Sequence, residues 1–564
     1  MCGIAGIVGP GAGGRRAQVE AMNAAIAHRG PDAGGVHSYP GCILGHRRLA
    51  IVDLTPGGAQ PMLSPDSSVA VTFNGEIYGY QELKNALSYP FRNQSDTEVI
   101  LALYEKHGAR FAEHLPGMFA LALWDDHTQT LIAARDRFGE KPFYYALTDS
   151  GELVFASEIK AILASGLITP QIDSASLAHY LHKLYVHPTR TIYSNIHTLP
   201  PAHMLVFKKG VFEISRYWNL PPINQTISLT EALPEFSRLL RMAVRKQLVA
   251  DVPVGAFLSG GLDSTTIVAL ASEISPRIKT FAFGFNSSKN ELSYAKMAAE
   301  KYGTEHYELH DDEHDIAALL RTMSQLYDEP FADSSNIPTY LISREARKHA
   351  TVALSGDGAD ELLGGYGHYK AALPQSLMTR LLGSFAMPRT PANTYFTHAE
   401  LAALMITPAT LAADVLPISP DAAMRDDLVD YMPGDILAKI DRASMAHALE
   451  LRAPFLDVPF AEFAISLPSR LKVSSDEDKI ILRRAYAHVW PEAIRTRRKQ
   501  GFGAPVTTWL KRDDMQKLVT EYLNDPRKKI FQHLSFDATR TYVPRNDYRT
   551  WILLVLSLWF EARA

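Results

Sequence analysis

Three short stretches of this 564-residue chain hold residues whose types and spacing could do chemistry. Cys2 stands directly behind Met1 in MCGIAGIVG, one cleavage from being the first residue. Ser259-Gly260-Gly261-Leu262-Asp263-Ser264 follows an apolar run and opens a helical pattern. Successive small residues let backbone N–H groups form a concave anion site at a positive helix terminus, which suits phosphate. The Gly-Lys-Ser/Thr of a Walker loop is absent, and Asp263 supplies instead an acid able to reach Mg2+, so pyrophosphate is the better fit. A helix start capped by Asp or Ser is the plainer reading. The third stretch, Leu354-Ser355-Gly356-Asp357-Gly358-Ala359-Asp360-Glu361, again follows a β-rich run. Its carboxylates repel one another unless a cation or a proton separates them, which points to metal binding or acid–base work. An acidic surface turn is the alternative.

These residues must be positioned by two different rhythms. From Cys2 to about residue 215, short alternating runs such as VAVTF, FALALW, TLIAARD and ELVFAS predict stacked antiparallel sheets. Helices are expected over RAQVEAMNAAIAH and SDTEVILALYEKHG, the second with Ser95 or Asp96 as its start signal and Gly108 as its stop. The Pro-rich strip NLPPINQTIS at 219–228 reads as a linker. Beyond it, strands GAFLS, KTFAFGF, EHYEL and TVALS alternate with helical periods, which predicts a doubly wound parallel sheet with ligands at the carboxyl ends of its strands. After residue 370 the pattern is mostly helical.

Composition sets the outer bounds. With 46% hydrophobic and 21% charged residues the chain can bury a large core and should divide into at least two domains. A formal charge of -4 without like-charged runs offers no footprint for nucleic acid and no polybasic membrane patch, so small-molecule chemistry is favoured. WILLVLSLWF at 551–560 is shorter than the roughly 20 residues of a membrane-spanning helix and reads as a buried helix. The basic-then-apolar start of a signal peptide is absent, and Cys2 and Cys42 are too few for a disulfide framework. A reducing, cytoplasmic location is the expectation, with Cys42 a core residue.

Taken together, MCGIAGIVG, RGPD, NGEIY, SDTE, SGGLDS and SGDGADE, in that order along nearly the whole chain, resemble the glutamine-dependent asparagine synthetases. These join an N-terminal-nucleophile (class II) glutamine amidotransferase to an ATP-pyrophosphatase-type synthetase. The resemblance implies an αββα Ntn-hydrolase sandwich over 2–218 and a doubly wound parallel-sheet domain with a helical C-terminal part over 228–564. It implies that Cys2, freed of Met1, is nucleophile and base in one residue, because a free α-amine has a reference pKa of about 7.7 to 8.0. Its thiolate would attack the glutamine amide and release ammonia. Asn74, through its side chain, and Gly75, through its N–H, match the oxyanion donors; read alone, the pair would be a hairpin turn. Arg48 matches the clamp on the glutamine α-carboxylate, and Glu76 and Asp96 match the acids that hold its ammonium.

For the second half the resemblance implies that ATP adenylates a carboxylate, which ammonia then amidates as AMP leaves. Ser259, Gly260, Gly261 and Ser264, with Ser355 and Gly356, would bind ATP and its pyrophosphate. Asp263 and Asp360 would hold Mg2+. Lys479 would stabilise the charged phosphorus centre, although a solvated helix lysine is the plain reading. Leu258 and Phe283 would border adenine, and Asp357 would accept a proton from the attacking ammonia. DRASMAHALELRAPFLD also matches a family signature, with Glu450 and Arg452 as candidates without a role. A buried passage between the domains would carry the ammonia, and a homodimer stays open.

Two positions depart from the family pattern. Asp357 stands where the well-known asparagine synthetases have Glu, and Ser334 stands at the matched Arg of aspartate-specific bacterial enzymes. If aspartate is the acceptor, another cation must hold its α-carboxylate, with Arg344, Arg347, Lys348 and Arg442 as candidates. Three readings follow: an asparagine synthetase; an amidotransferase of the same mechanism acting on another carboxylate, such as a sugar uronate or a cell-envelope peptide; and an inactive scaffold or glutamine-sensing binding protein.

Overall fold

The computed structural model describes residues 1–285, 291–310, 315–373, 394–409, 411, 417–497 and 503–563. The first half is two six-stranded antiparallel sheets, face to face. One has the order His197–Thr198, Tyr144–Leu147, Leu153–Ala156, Gly3–Val8, Cys42–Arg48, Ala33–Tyr39. The other runs Val211–Arg216, His203–Lys208, Thr130–Arg135, Met118–Asp125, Val69–Glu76, Met62–Leu63.

Strand alternation builds the layers. In Gly3–Val8, Ile4 and Val8 pack with Leu44, Ala120, Leu131 and Phe155 between the sheets. Ala5 and Ile7 face the other way, against Val19 and Met22 of helix Arg16–Ala25. On the outer side of the second sheet, Val99, Ile100 and Leu103 of helix Glu98–His107 cover Val71, Phe73 and Leu121. Helix, sheet, sheet and helix follow in that order. The helix expected to start at Ser95 or Asp96 is capped two or one residues later, at Thr97 and with no side-chain cap, as the Asp96 carboxylate is turned toward the Ile77 N–H.

The strip at 219–228 lies along the second half, where Arg425 donates to the Leu220 and Pro221 carbonyls and Asn224 N–H donates to Ser466. That half is built on a five-stranded parallel sheet ordered Glu305–His310, Lys279–Gly284, Val254–Phe257, Val352–Leu354, Glu450–Arg452. Ala256, Leu258 and Leu354 pack with helices Leu229–Gln247 and Leu262–Ile274 on one face. Phe281, Ala353 and Leu451 pack with helices Ile316–Leu326 and Asn336–Ala346 on the other, as in a doubly wound sheet. The strand Glu450–Arg452 has no counterpart in the sequence reading. Residues beyond 394 are largely helical, while 374–393 lie outside the described residues.

WILLVLSLWF falls in helix Tyr548–Ala562, whose Trp551 and Trp559 are buried. Among the described residues, no helix is long and apolar enough to cross a membrane. The helix packs into an apolar layer that also takes in Tyr180 and Leu181 of the first half. Tyr180 donates its hydroxyl to the Ile552 carbonyl at 2.8 Å. One core therefore runs through both halves.

Candidate active sites

The first site forms where Gly3–Val8 begins. Cys2 is buried, its N–H donates to Asn74 Oδ1 at 2.9 Å, and its thiol faces the Leu49 carbonyl at 3.9 Å. Burial pushes the thiol above its ordinary pKa, against the pull of the nearby N-terminal ammonium. A buried neutral thiol needs a base to become a nucleophile. Arg29, of the RGPD motif, donates to the Cys2 carbonyl at 3.0 Å while gripping Asp441 with two nitrogens at 2.8 Å.

Asn74 and Gly75 lie inside strand Val69–Glu76 and not in a hairpin turn. Asn74 Nδ2 is buried without a hydrogen-bond partner, an orphaned donor beside the thiol as an oxyanion site requires. A Cβ at Gly75 would stand 2.1 Å from the Met118 carbonyl oxygen, so only glycine lets the two strands approach there. Glu76 and Asp96 are buried near one another, and burial raises both carboxyls. Arg48 is also buried, with its guanidinium on the backbone carbonyls of Val52, Asp53 and Thr55.

A wall of this site comes from the far end of the chain. The Met1 ammonium meets Glu450 at 2.6 Å with both groups fully buried, and Arg452 lies 3.3 Å from Glu76 and 2.7 Å from Glu450. Glu450 and Arg452 thus gain a location that spacing alone could not supply.

The second site is a cavity of about 460 Å³ at the carboxyl ends of the parallel strands. Leu258, Ser259, Gly260, Gly261, Asp263 and Ser264 line one side, Ser355, Gly356, Asp357 and Asp360 the other, and Phe283 and Lys479 complete it. Strand Val254–Phe257 runs into the first loop, where Gly260 adopts φ +69° and a Cβ would stand 2.5 Å from that of Tyr294. Gly261 then caps helix Leu262–Ile274. A Cβ on Gly356 would lie 3.1 Å from the Ser264 nitrogen, so the two loops meet at the backbone.

Lys479 sits between Asp263 and Asp360, 2.6 Å from the latter, and is buried. Burial alone would lower its pKa, but the two carboxylates raise it. The solvated-helix reading of this lysine is therefore wrong. Glu361 accepts from the Tyr366 hydroxyl at 2.7 Å, and burial beside Asp360 lifts its pKa to about 7. Two carboxylates from opposed loops converging on one cation fit Mg2+, which is commonly held by one or two carboxylates plus phosphate oxygens. Among the described residues no group of three or more His, Cys, Asp or Glu forms a metal site by itself.

Asp357 is half-buried, desolvation raises its carboxyl, and it also lines a second, narrow cavity of about 10 Å³ shared with Arg452, Glu140 and Lys141. That is room for about one water-sized molecule. Arg452 therefore borders both the Cys2 site and the space leading to Asp357.

The acceptor region needs correction. Ser334 accepts hydrogen bonds from the Tyr548 hydroxyl at 2.9 Å and the Ala504 N–H at 3.3 Å, and the cavity is lined by its neighbours Asp333 and Ser335 instead. The four candidate cations do not line it. Arg344 and Lys348 are exposed near the end of helix Asn336–Ala346, Arg347 donates to Thr351, and Arg442 is committed to Glu158 and Asp328. The cations that line the cavity are Lys439, Lys479, Arg483 and Arg497; Lys439, which no sequence signal singled out, stands two residues before the DRASMAH stretch.

Two family models match the chain: asparagine synthase over residues 235–561 and a glutamine amidotransferase domain over residues 1–218. Among curated proteins, the chain is 32% identical to asparagine synthetase (glutamine-hydrolyzing) 1 of Bacillus subtilis, over 99% of this chain and 96% of that one. It is 38% identical to putative asparagine synthetase (glutamine-hydrolyzing) 2 of Methanocaldococcus jannaschii, over 65% of this chain and 76% of the relative. A putative asparagine synthetase (glutamine-hydrolyzing) of Mycobacterium tuberculosis is 32% identical over 99% of this chain and 97% of its own.

Proposed function

The chain belongs to the asparagine synthetase (glutamine-hydrolysing) family, and we propose that it makes asparagine from aspartate, glutamine and ATP, releasing glutamate, AMP and pyrophosphate. The single observation that carries this reading is Lys479 held between Asp263 and Asp360 at the mouth of a Walker-free phosphate loop.

Residues 2–218 form the glutaminase and 228–564 the synthetase. With Met1 removed, the Cys2 α-amine takes the thiol proton as sulfur attacks the glutamine amide. Asn74 Nδ2 and the Gly75 N–H receive the oxyanion, Arg48 orients the substrate carboxylate, and Glu76 and Asp96 hold its ammonium. Ammonia leaves past Arg452 toward Asp357. In the synthetase, Leu258 and Phe283 border adenine, and the backbone N–H groups of 259–261 and 355–356 cradle phosphate. Asp263 and Asp360 would hold Mg2+, which when bound supplies charge neutralisation at the leaving pyrophosphate. Lys479 turns to the phosphorus centre, and the raised pKa of Asp357 suits it to take a proton from ammonia. Neither a nucleic acid nor a membrane has a part in this scheme.

Supplied with glutamine, Mg-ATP and aspartate, the protein is expected to release AMP, pyrophosphate and asparagine in equal amounts. ADP and phosphate as the stoichiometric products would remove the adenylation step. A second outcome follows from Gly365, where a Cβ would stand 1.8 Å from Asp360 Oδ1 and 2.5 Å from Lys479 Cε. Gly365→Ala should lower pyrophosphate release by about 10²-fold, as misplacement of a reacting group by an ångström can. Glutamine hydrolysis should stay within about twofold, since the Cys2 site makes no use of Gly365. Equal loss of both activities would contradict this division of labour.

A further inference from the structure

We infer that Asp441, in the synthetase half, is a positioning residue for glutamine hydrolysis in the other half: by orienting Arg29 it holds the Cys2 carbonyl, and with it the amine and thiol that carry out the reaction. The inference rests on the glutaminase reading above and goes beyond it, because Asp441 lies outside the residues assigned to that activity.

Arg29 closes the short helical turn Ala27–Arg29 and is fully buried. Its guanidinium nitrogens are divided between two tasks. Nε donates to the Cys2 carbonyl at 3.0 Å, while Nη1 and Nη2 donate to Asp441 Oδ2 and Oδ1, each at 2.8 Å. Nη1 also reaches Glu158 Oε1 at 2.8 Å. A two-pronged guanidinium–carboxylate pair fixes the plane of the guanidinium as well as its position. Nε lies in that plane, so Asp441 sets the aim of its bond to Cys2. Asp441 and its neighbour Arg442 sit side by side on helix Leu437–Met445 and meet the opposite charges of Arg29 and Glu158 across the interface. Burial alone would raise the Asp441 carboxyl, but Arg29 holds it below its ordinary value. Glu158 is a poorer anchor, because its carboxylate is shared with Arg442 at 2.9 Å, Lys160 at 2.9 Å and His28 at 3.1 Å.

The reaction makes this hold matter. Once Met1 is gone, the planar Cys2–Gly3 peptide is the one covalent anchor of both the α-amine and the thiol, and Arg29 grips that peptide at its oxygen. The Cys2 nitrogen itself rests on Asn74 Oδ1 at 2.9 Å. With Arg29 released, the peptide plane can tilt and carry amine and thiol away from the Asn74 amide. Asparagine at position 441 keeps the size of the side chain but turns one acceptor into a donor that faces the donors of Arg29. The fork is then lost while the arginine stays buried beside Glu158.

The test compares wild type, Asp441→Asn, Asp441→Glu and Arg29→Lys in the full chain, reading glutamate release from glutamine and, separately, pyrophosphate release with ammonium chloride as nitrogen donor. Asp441→Asn should lower kcat for glutamine by about 10- to 100-fold, the scale on which displacing a reacting group acts. KM for glutamine should stay within about threefold, since Arg48, Glu76 and Asp96 are untouched. Ammonium-dependent turnover should also stay within about threefold: Asp441 borders the narrow cavity near Asp357, but both its carboxylate oxygens are turned to Arg29. Asp441→Glu, which keeps the charge, should fall between the Asn variant and wild type. Arg29→Lys, which keeps the charge without the fork, should match Asp441→Asn, and combining the two should cost no more than about twofold beyond either, because they act as one unit. Unchanged glutamine kcat in Asp441→Asn overturns the proposal. So does a rise in KM at constant kcat, which would put Asp441 in substrate binding, and so does equal loss of both activities, the mark of an ion pair that only joins the halves. Should Asp441→Asn fail to fold, Asp441→Glu carries the same split of kcat against KM. A wild type that releases pyrophosphate with ammonium but no glutamate from glutamine brings down the glutaminase reading itself, and shows this before any variant is compared.

Discussion

Replacing Cys2 by Ala is expected to abolish glutamine-dependent synthesis, by a factor on the order of 10⁴ or more, while synthesis from ammonium chloride stays within about threefold of wild type. The split follows from where the two chemistries sit. The thiol lies at the start of strand Gly3–Val8 beside the orphaned Asn74 amide, and the adenylating residues lie across the interface at the ends of the parallel strands. Alanine removes one sulfur from a buried position and leaves the Asn74 and Arg29 contacts, which use the Cys2 backbone, in place. Asparagine formation from each nitrogen source, with the mass of the purified chain, checks the idea. A chain that keeps Met1 and still hydrolyses glutamine would sink the free-amine mechanism, because with Met1 present the Cys2 nitrogen is an amide already donating to Asn74.

Lys479→Met should do the reverse. Pyrophosphate release is expected to fall by about 10²- to 10³-fold, the usual cost of deleting one preorganised group that meets developing charge. Glutamine hydrolysis should persist. Two effects add here. The lysine no longer meets the phosphorus centre, and Asp263 and Asp360 lose the cation between them. Unit charges about 4 Å apart at an effective dielectric of about 20 interact by roughly 4 kcal/mol, so the carboxylates would face each other at considerable cost until a metal or a proton arrived. Single-turnover measurement with saturating aspartate reads the step directly. Unchanged pyrophosphate release in the variant would mean that Lys479 is only a structural bridge.

The parts of the molecule that could be read from sequence are those whose meaning is local. Gly260 and Gly261 follow a strand and precede a helix within a few residues, and Asp357 and Asp360 follow a neighbouring strand of the sheet, so the two loops that line the cavity could be placed from spacing alone. The alternating strands of the first half and the alternation of strand and helix in the second were visible for the same reason. What escaped depends on residues far apart in the chain. Nothing in the sequence says that Glu450 and Arg452 form a short fifth strand and reach Glu76 and the chain start, or that Lys439 faces Asp333. Asn74-Gly75 is commoner as a turn, and only the Met118 backbone pressed against it explains a glycine inside a strand. Asp96 looked like a helix cap because its type and position fit one; the competing Ile77 N–H was invisible. Ser334 in place of a matched Arg predicts a missing cation, but its hydroxyl is engaged by Tyr548 and Lys439 lines the cavity from another helix.

The apolar layer that passes from Tyr180 and Leu181 to the helix carrying Trp551 and Trp559 bears on how such a chain can change over generations. By its motifs it is two modules joined by a Pro-rich strip, the kind of arrangement that recombination could cut and rejoin. In three dimensions the described residues show no such seam. The Tyr193 ring packs at a tilt beside Trp559, and the Tyr180 hydroxyl is satisfied by a carbonyl more than three hundred residues away. Either half transplanted alone would carry a bare apolar flank and unpaired buried groups, a liability for solubility before any question of activity arises. Variation at the apolar flank of one half is thus constrained by the flank of the other that it packs against.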